Sequence, residues 1–329
     1  MAVPHHPLSL GRRVPGAWLA PVAAALDRAR RGSLDALLSE QAEAFVTTRA
    51  QVDAARAAPA NDAHRAEHDA AVDREARAWL ARLRRRSLGS PGLGAAAAVD
   101  MAIRSERSEI LESPLLPESL RRFEMWCLDR VNRQFGSYPL WAEQVSRLLG
   151  DAVTPHVVDL AAGSGGFLRW VGQARPQSGW RLTATDYEAQ FVDQGRALAA
   201  RDGVDVQFER RDATRIGAFD PPADLFVCTQ SVHHMPPGVV LRMLASAVAS
   251  APRGILVVDV ARGFGHALAI GLGTLVSLPF PPLVLDGMQS SRRGYAGAEL
   301  ALLARLAGAT RVEVEPLGPV HVVLHASVG

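Results

Sequence analysis

The sequence contains no lysine, and all 36 of its basic residues are arginine. Arginine forms no Schiff base, so lysine-based covalent chemistry and a phosphate-loop lysine are excluded. Only two cysteines are present, Cys127 and Cys228, and they lie far apart in the chain. Two such thiols indicate neither a disulfide framework nor a cysteine-based metal site.

The chain also lacks a surplus of charge, because the formal net charge of its 329 residues is only +2. Proteins that bind a nucleic-acid backbone neutralise many phosphates with basic side chains, so we expect no nucleic-acid partner. The first residues show no charged segment followed by an apolar one, as a signal peptide would. We therefore expect a cytoplasmic location.

The first third of the chain is rich in alanine, arginine and glutamate. Capping residues and apolar residues at helical spacing predict one helix over 33–58 and a second over 61–86, joined at Pro59. We expect residues 1–112 to form a helical region containing this hairpin, which either dimerises the protein or covers its pocket. Residues 113–329 are then expected to form the main domain.

The most informative stretch covers residues 157–186 and reads as strand, glycine-rich turn, helix and second strand. Its first strand is apolar but contains Asp159, and the following turn contains Gly163 and Gly165. Glycines let the backbone approach a bound nucleotide, and an acid about 20 residues later, here Asp186, can hold ribose hydroxyls. The stretch therefore predicts the opening of a nucleotide-binding α/β domain.

The charge of Asp159 helps to select the nucleotide. A carboxylate just before the turn would repel a pyrophosphate, but it would attract the ammonium and sulfonium groups of S-adenosylmethionine. The pattern resembles the first motif of class I S-adenosylmethionine-dependent methyltransferases, usually Asp/Glu-x-Gly-x-Gly-x-Gly, with Ala161 in place of the first glycine. This resemblance implies S-adenosyl-L-methionine as the cofactor.

The resemblance also implies roles for individual residues. Asp186 would accept hydrogen bonds from both ribose hydroxyls, Asp212 would bind the adenine amino group, and Ala213 would line the adenine pocket. The alternatives are that Asp186 caps a helix and that Asp212 is an ordinary loop acid. The full set expected to contact the cofactor is Asp159, Ala161, Gly163, Gly165, Asp186, Tyr187, Asp212, Ala213 and Gln230.

The order of predicted elements gives the fold class. From residue 157 onward strands alternate with helices, which predicts a doubly wound parallel sheet. The last two β-rich runs, 311–315 and 320–325, are too close for a crossover helix and must pair antiparallel. A mostly parallel seven-stranded sheet with an antiparallel last strand is the Rossmann-like fold of class I methyltransferases, and we expect it here.

The end of the fourth predicted strand carries two adjacent histidines, His233 and His234. Strand ends of an open α/β sheet face the ligand crevice, so these side chains should lie near the transferred methyl group. Histidine titrates near neutrality and can take a proton from the methyl acceptor, although one histidine often only braces the turn. Because adjacent strand residues point to opposite faces, we expect no metal site.

Residues 263–295 include a run of 22 residues without a formal charge. Its length would permit a membrane span, but its prolines, its glycines and its position inside one domain argue against a stable one. We expect an apolar lid over a lipophilic substrate, with contact to a membrane surface as the alternative. Arg292, Arg293 and Tyr295 would then position a polar end of the substrate, or else brace the last helix.

These observations predict a methyltransferase that O-methylates a lipophilic small molecule, such as a phenol or a polyketide-like secondary metabolite. Two alternatives stay open at this point. One is a methyltransferase acting on RNA or protein, and the other is a cofactor-binding partner subunit without catalysis of its own. A homodimer formed through the N-terminal helices is also open.

Overall fold

The computed structural model describes residues 40–42, 62–91, 94–113, 115–277 and 280–329. Residues 40–42 are helical, and the rest of the helix predicted over 33–58 lies outside the described residues. The predicted junction at Pro59 lies outside them as well.

Seven strands form a single sheet in the order β3-β2-β1-β4-β5-β7-β6. The strands are β1 His156–Leu160, β2 Arg181–Asp186, β3 Gln207–Arg210, β4 Leu225–Thr229, β5 Ile255–Val260, β6 Arg311–Leu317 and β7 His321–Ser327. Strands β1 to β5 pair in parallel, whereas β7 pairs antiparallel with both β5 and β6. The predicted fold class is confirmed, and the sheet order reverses between β1 and β4, where such sheets bind their ligands.

Ten helices occur in the described part of the chain, in addition to the short helical piece at 40–42. They are α1 Asp62–Leu88, α2 Gly94–Ile103, α3 Glu118–Gln134, α4 Ser137–Leu149, α5 Gly166–Ala174, α6 Ala189–Asp202, α7 Pro237–Ser250, α8 Phe264–Ser277, α9 Pro281–Arg293 and α10 Gly297–Leu306. Two 3₁₀ turns span Ile110–Glu112 and Val232–His234.

Helix α2 ends at Ile103. Beyond it, the backbone N–H of Ser105 donates to the carbonyl of Arg292 at 3.0 Å. This contact with α9 replaces a bond along the helix, so a tertiary partner draws the chain away before the 3₁₀ turn begins.

The two faces of the sheet are covered by different helices. On one face α1, α7 and α10 pack against the strands, and on the other face α4, α5 and α6 do so. Leu80 and Leu83 of α1 are almost fully buried in the same core as α7. The first described helix therefore shares the core of the sheet, while a domain boundary near residue 112 stays a prediction.

A buried set of ion pairs ties the N-terminal helices to the sheet. We call Arg84, Asp100, Arg262 and Glu299 the Arg262 network. Arg262 follows β5 and donates to both carboxylate oxygens of Asp100, at 2.8 and 2.6 Å, and to Glu299 Oε2 at 2.9 Å. Arg84 donates to Glu299 Oε1 at 2.6 Å. Burial would raise the pKa of Glu299, but the two guanidinium groups hold it at about 2.

The segment expected as a lid forms the two helices α8 and α9, which pack closely on each other. A Cβ atom at Gly271 would lie 2.9 Å from the Met288 sulfur, and one at Gly287 would lie 2.8 Å from Ile270 Cγ2. Side chains at these two positions would push the helices apart. Among the described residues, no helix combines the length and the apolar composition of a membrane span.

Candidate active site

A tight turn joins β1 to α5 at the carboxyl edge of the sheet. Gly163 and Gly165 have φ angles of 56° and 68°, which glycine adopts without steric cost. Ala161 has a φ of 52° and occupies the position where the methyltransferase motif normally has its first glycine. The left-handed backbone explains that preference for glycine, and an alanine there costs about 1 kcal/mol.

Asp186, at the end of β2, holds this turn in place. Its Oδ2 accepts the N–H of Gly163 at 2.8 Å, and its Oδ1 accepts the N–H of Glu188 at 2.9 Å. Burial raises the pKa of Asp186, while these backbone donors oppose the shift. The carboxylate therefore lies beside the glycine turn and braces the two loops, while its contact with ribose stays a prediction.

Asp159 lies inside the end of β1 and is only 1% exposed. Its Oδ2 accepts a long hydrogen bond of 3.4 Å from the Thr229 hydroxyl, whereas its Oδ1 is buried without a hydrogen-bond partner. Burial raises the pKa of Asp159 well above its usual range. A buried carboxylate oxygen that lacks a donor fits the ammonium group of S-adenosylmethionine, so the residues present suit this cofactor.

Helix α3 closes over the glycine turn. A Cβ atom at Gly163 would lie 2.6 Å from Met125 Cε, which shows how closely the helix approaches. Further along the helix, Asn132 Nδ2 donates to Gln230 Oε1 at 2.7 Å. Gln230 has a φ of 51°, and its amide nitrogen lies 3.2 Å from Nε2 of His321. The predicted cofactor residue Gln230 is thus held by α3 and β7.

The remaining predicted cofactor residues surround the ends of β2 and β3. Tyr187 is 63% exposed, and the guanidinium of Arg210 lies 5.5 Å from its ring centre. Asp212 accepts the N–H and the hydroxyl of Thr214 through one carboxylate oxygen, at 2.8 and 2.7 Å. Ala213 packs at the edge of the core. Their contacts with adenine stay predictions.

His233 and His234 lie in a 3₁₀ turn after β4 rather than in the strand itself. Their ring centres are only 4.0 Å apart. The reason given above for expecting no metal site is therefore wrong, because successive residues of a 3₁₀ helix are about 120° apart and not on opposite faces.

Each histidine is held by a carboxylate at Nδ1. His233 Nδ1 lies 2.6 Å from Asp259 Oδ1, and Asp259 Oδ2 accepts the backbone N–H of His233 at 2.8 Å. His234 Nδ1 lies 2.6 Å from Glu112 Oε1. An ionised carboxylate only accepts hydrogen bonds, so both Nδ1 atoms carry the hydrogen. In the neutral imidazoles the lone pair is then on Nε2.

The two supporting carboxylates are held in their ionised form. Burial would raise the pKa of Asp259, but the charge and hydrogen bond of His233 hold it below its usual value. Burial would also raise the pKa of Glu112, which hydrogen bonds from His234 and Arg293 instead lower to about 2.

Glu109 completes the group, and we call Glu109, His233 and His234 the His-Glu cluster. Oε1 of Glu109 lies 3.6 Å from Nε2 of His233, and Oε2 lies 3.9 Å from Nε2 of His234. Glu109 is 6% exposed and accepts the hydroxyl of Ser290 at 2.8 Å. Burial raises its pKa to about 7, against the opposing effects of His234, Ser290 and Arg293.

One face of α9 covers this cluster with polar side chains spaced about one turn apart. Asp286 accepts the N–H of Ile110 at 2.7 Å, and Ser290 binds Glu109 as described. Arg293 donates to Glu112 at 2.6 Å and to the His234 carbonyl at 3.4 Å. The part of the expected lid that faces the histidines is therefore polar.

The three predicted substrate residues fall in different places. Arg293 reaches the histidine turn, as just described. Arg292 is exposed on the other side of α9 and donates to the carbonyl of Ile103 at 3.1 Å. Tyr295 is buried, and its hydroxyl donates to the carbonyl of Met235 at 2.8 Å. The structure therefore brings only Arg293 next to the histidines.

Sequence reasoning did not identify Glu109, Glu112 or Asp259. Asp259 could have been found, because it is the single acid in the apolar strand Ile255–Val260. Glu109 and Glu112 gave no local signal, since no motif or periodic pattern in the sequence marks them.

The comparisons with known proteins agree with this geometry. Residues 157–252 match a family described as a methyltransferase domain. The chain matches no curated protein.

Solved structures with a similar fold include a SAM-dependent methyltransferase from Aquifex aeolicus, at 17% identity and a TM-score of 0.40, covering 56% of this chain and 87% of that one. An O-methyltransferase family 2 protein from Planctomyces limnophilus, in complex with apigenin, has 21% identity and a TM-score of 0.47, covering 71% and 67%. Magnesium protoporphyrin IX methyltransferase from Synechocystis, with bound SAH, has 17% identity and a TM-score of 0.43, covering 64% and 99%.

The sheet order, the glycine turn and the two buried acids Asp159 and Asp186 define a class I methyltransferase domain. The family match over residues 157–252 identifies a methyltransferase domain in this chain, and its geometry suits S-adenosylmethionine as the cofactor.

Proposed function

We propose that the enzyme transfers the methyl group of S-adenosylmethionine to an oxygen atom of a lipophilic small molecule. The observation that carries this proposal is the His-Glu cluster at the carboxyl end of β4. Ser231, two residues before His233, donates its hydroxyl to the carbonyl of Ala161 at 2.7 Å, so the cluster is tied directly to the cofactor turn. A hydroxyl acceptor must lose its proton on methylation, and this cluster offers atoms that can take it.

The chain's own residues have clear roles in such a reaction. When bound, S-adenosylmethionine supplies an electrophilic methyl group, and Asp159 and Asp186 would hold the cofactor at its ammonium and ribose groups. His233 accepts the acceptor's proton at Nε2, and Asp259 stabilises the resulting imidazolium through Nδ1. Helix α3 closes over the turn and limits access of water, so that positioning of the acceptor supplies much of the rate.

A group of aromatic side chains supports a lipophilic acceptor. Phe123 and Trp126 of α3 stack with ring centres 5.7 Å apart, and Phe280, just before α9, meets Phe123 edge-on at 5.3 Å. Phe123 and Trp126 are each about two-fifths exposed, at 41% and 43%. Such rings between α3 and the α8–α9 pair favour an apolar ligand over a charged polymer.

The first test is calorimetric titration with S-adenosylmethionine and S-adenosylhomocysteine. We expect micromolar binding by the wild type and loss of binding in Asp186→Ala, because the ribose hydroxyls lose their acceptor. Asp193→Ala, which removes an exposed acid on α6, is the matched control and should bind normally. Equal binding by both variants would contradict the assigned role of Asp186.

The second test is product analysis with a panel of phenols and hydroxylated polyketides. Mass spectrometry and carbon NMR of a ¹³C-labelled methyl group identify the methylated atom. We expect an O-methyl product and a much lower rate in His233→Ala. Methylation of nitrogen or carbon, or salt-sensitive transfer to RNA, would overturn the proposal.

A further inference from the structure

The three donor atoms of the His-Glu cluster converge on one point. One ligand atom each from His233, His234 and Glu109 all lie within 4.8 Å of one another, and Nε2 of each ring faces a Glu109 oxygen. Two ligands that each lie about 2.1 Å from a tetrahedral metal ion are about 3.4 Å apart. The 3.6 Å and 3.9 Å separations between Glu109 and the two histidines are close to this spacing.

The tautomer of each histidine is the one that a metal requires. Asp259 and Glu112 hold the two Nδ1 atoms at 2.6 Å each, so the neutral rings present the lone pair of Nε2. Among the described residues, neither Nε2 has a hydrogen-bond partner. Metal-binding histidines almost always donate their other N–H to a carboxylate or a carbonyl, which fixes the ring and increases its basicity. Here two independent carboxylates do so for two adjacent rings.

The charge of the cluster also suits a cation. Glu109 is buried, and an ionised carboxylate is costly to bury without a cation beside it. The nearest guanidinium, that of Arg293, lies 3.9 Å from Glu109 Oε1 and donates at 2.6 Å to Glu112 instead. Two imidazoles and one carboxylate form a ligand set typical of zinc and of divalent iron, manganese or cobalt, with open positions for a substrate or water.

We infer that the His-Glu cluster binds one divalent transition-metal cation through Glu109, His233 and His234. Binding of the ion does not depend on the identity of the acceptor, but its catalytic role rests on the proposed function. An acceptor hydroxyl that occupies an open position on the ion releases its proton to water more easily, because the cation stabilises the alkoxide or phenolate. In the metal-bound enzyme the histidines are ligands, and the proton-accepting role proposed above for Nε2 of His233 belongs to the metal-free enzyme.

The experiment uses tag-free full-length protein dialysed against EDTA. The His5→Ala/His6→Ala double variant serves as the parent, since it removes two neighbouring imidazoles outside the cluster. Co²⁺ and Zn²⁺ are titrated by calorimetry, and Co²⁺ is also followed by its visible absorption. Mg²⁺ is the comparison, because it prefers oxygen ligands. We expect one equivalent of Co²⁺ and of Zn²⁺ to bind, and Mg²⁺ to bind far more weakly.

Variants of the parent locate the site. We expect His233→Ala and Glu109→Gln to lower the affinity for Co²⁺ at least 100-fold, and Asp259→Asn to lower it about 10- to 100-fold through its hydrogen bond to His233. His64→Ala removes an exposed imidazole from α1 and should leave the affinity unchanged. Circular dichroism and cofactor binding check that each variant folds.

Failure of this inference is distinguishable from failure of the proposed function. Absence of Co²⁺ and Zn²⁺ binding, or unchanged binding in His233→Ala and Glu109→Gln, would overturn the metal site whatever the acceptor is. Full-rate O-methylation by EDTA-treated protein would overturn the catalytic role of the ion while leaving the proposed function intact. Cluster-dependent metal binding without any O-methyl product would support the site and contradict the proposed function.

Discussion

Two buried polar groups lie at the carboxyl end of β5, and they differ in how completely their charges are paired. In the Arg262 network, each guanidinium meets a carboxylate at 2.6–2.9 Å. In the His-Glu cluster, Glu109 lies 3.6 Å or more from the ring nitrogens it faces. The pKa of Glu299 in the first is about 2, whereas that of Glu109 in the second is about 7.

Both groups join an N-terminal segment to the same strand, so position alone does not explain the difference. Arg262 lies two residues after β5 and donates to Asp100 of α2 and Glu299 of α10, and Glu299 in turn binds Arg84 of α1. Asp259 within β5 supports His233. Where opposite charges are fully paired, the cost of burial is offset inside the protein and the group serves the fold. In the His-Glu cluster Glu109 meets the charged or basic groups around it only at 3.6–3.9 Å, so the group retains capacity for a ligand.

The largest effect, on the free energy of unfolding, is expected from a substitution that disrupts the Arg262 network. Glu299→Ala leaves Arg262 and Arg84 without their shared carboxylate in a buried site, which should lower the free energy of unfolding by about 3–5 kcal/mol. Urea denaturation measures this change. Glu106→Ala, which removes a surface acid paired with Arg104, should change the free energy by less than about 1 kcal/mol. Similar losses in both variants would contradict the comparison.

The carboxylate of Glu299 also determines the direction in which stability changes with pH. The pKa of Glu299 is about 2 in the folded protein against an ordinary value of 4.5, so its ionised form favours folding. Its contribution of about 3 kcal/mol is fully present above pH 4.5 and is lost as the pH falls toward 2. Urea denaturation from pH 6 to pH 3 should show a smaller acid-induced loss in Glu299→Gln than in the wild type, and parallel losses would refute this assignment.

Substitutions in and around the His-Glu cluster should lower the rate of catalysis more than they lower stability. Asp259→Asn removes the carboxylate that orients His233, and we expect kcat/KM to fall about 100-fold, equivalent to about 2.7 kcal/mol. Steady-state methylation assays at saturating cofactor measure the effect, with cofactor affinity as the control. A loss of cofactor binding as large as the loss of turnover would point to misfolding instead.

A smaller effect is expected at Glu124 on α3, which resembles the His-Glu cluster in being unpaired. Neither carboxylate oxygen has a hydrogen-bond partner, and burial, followed by the charges of Asp286 and Glu109, raises its pKa to about 7. Its ionisation therefore opposes folding above neutrality. Glu124→Gln should gain about 1 kcal/mol of stability at pH 8 and little at pH 5, as measured by urea denaturation. A loss at pH 8 would show that the carboxylate is paired in solution.

The smallest effect is expected at Arg292. Its exposed guanidinium contacts only the carbonyl of Ile103 among the described residues, so Arg292→Ala should change stability by less than about 1 kcal/mol and leave turnover unchanged. Arg293→Ala should lower turnover more, because it withdraws the cation from Glu112. Methylation assays on the pair separate the two arginines, and equal losses of turnover would favour the substrate role predicted for both.

The placement of the predicted cofactor residues around one turn was foreseeable from sequence because its signals are local, while their contacts with the cofactor stay predictions. Asp159, the glycine turn and Asp186 lie within 30 residues, and the alternation of strands with helices places them at one edge of the sheet. Ala161 shows that even a departure from the motif has a local meaning, since its positive φ is the reason glycine is preferred there.

The catalytic half was less predictable because its parts come from distant segments. Glu112 is 122 positions from His234, and Glu109 is 181 positions from Ser290, yet each pair is in hydrogen-bond contact. No periodic pattern marks such acids, and the expectation that the two histidines face apart failed because they fold into a 3₁₀ turn.

The sequence by itself therefore determined the class of fold and the cofactor, and it predicted the edge of the sheet where the chemistry is proposed, since hydrophobic period and turn residues act over short distances. The tertiary structure alone decided which buried carboxylates form close ion pairs and which do not. Charge pairing depends on side chains meeting through space, and the same residue type is closely paired with two arginines at Glu299 but meets its charged neighbours only at 3.6–3.9 Å at Glu109.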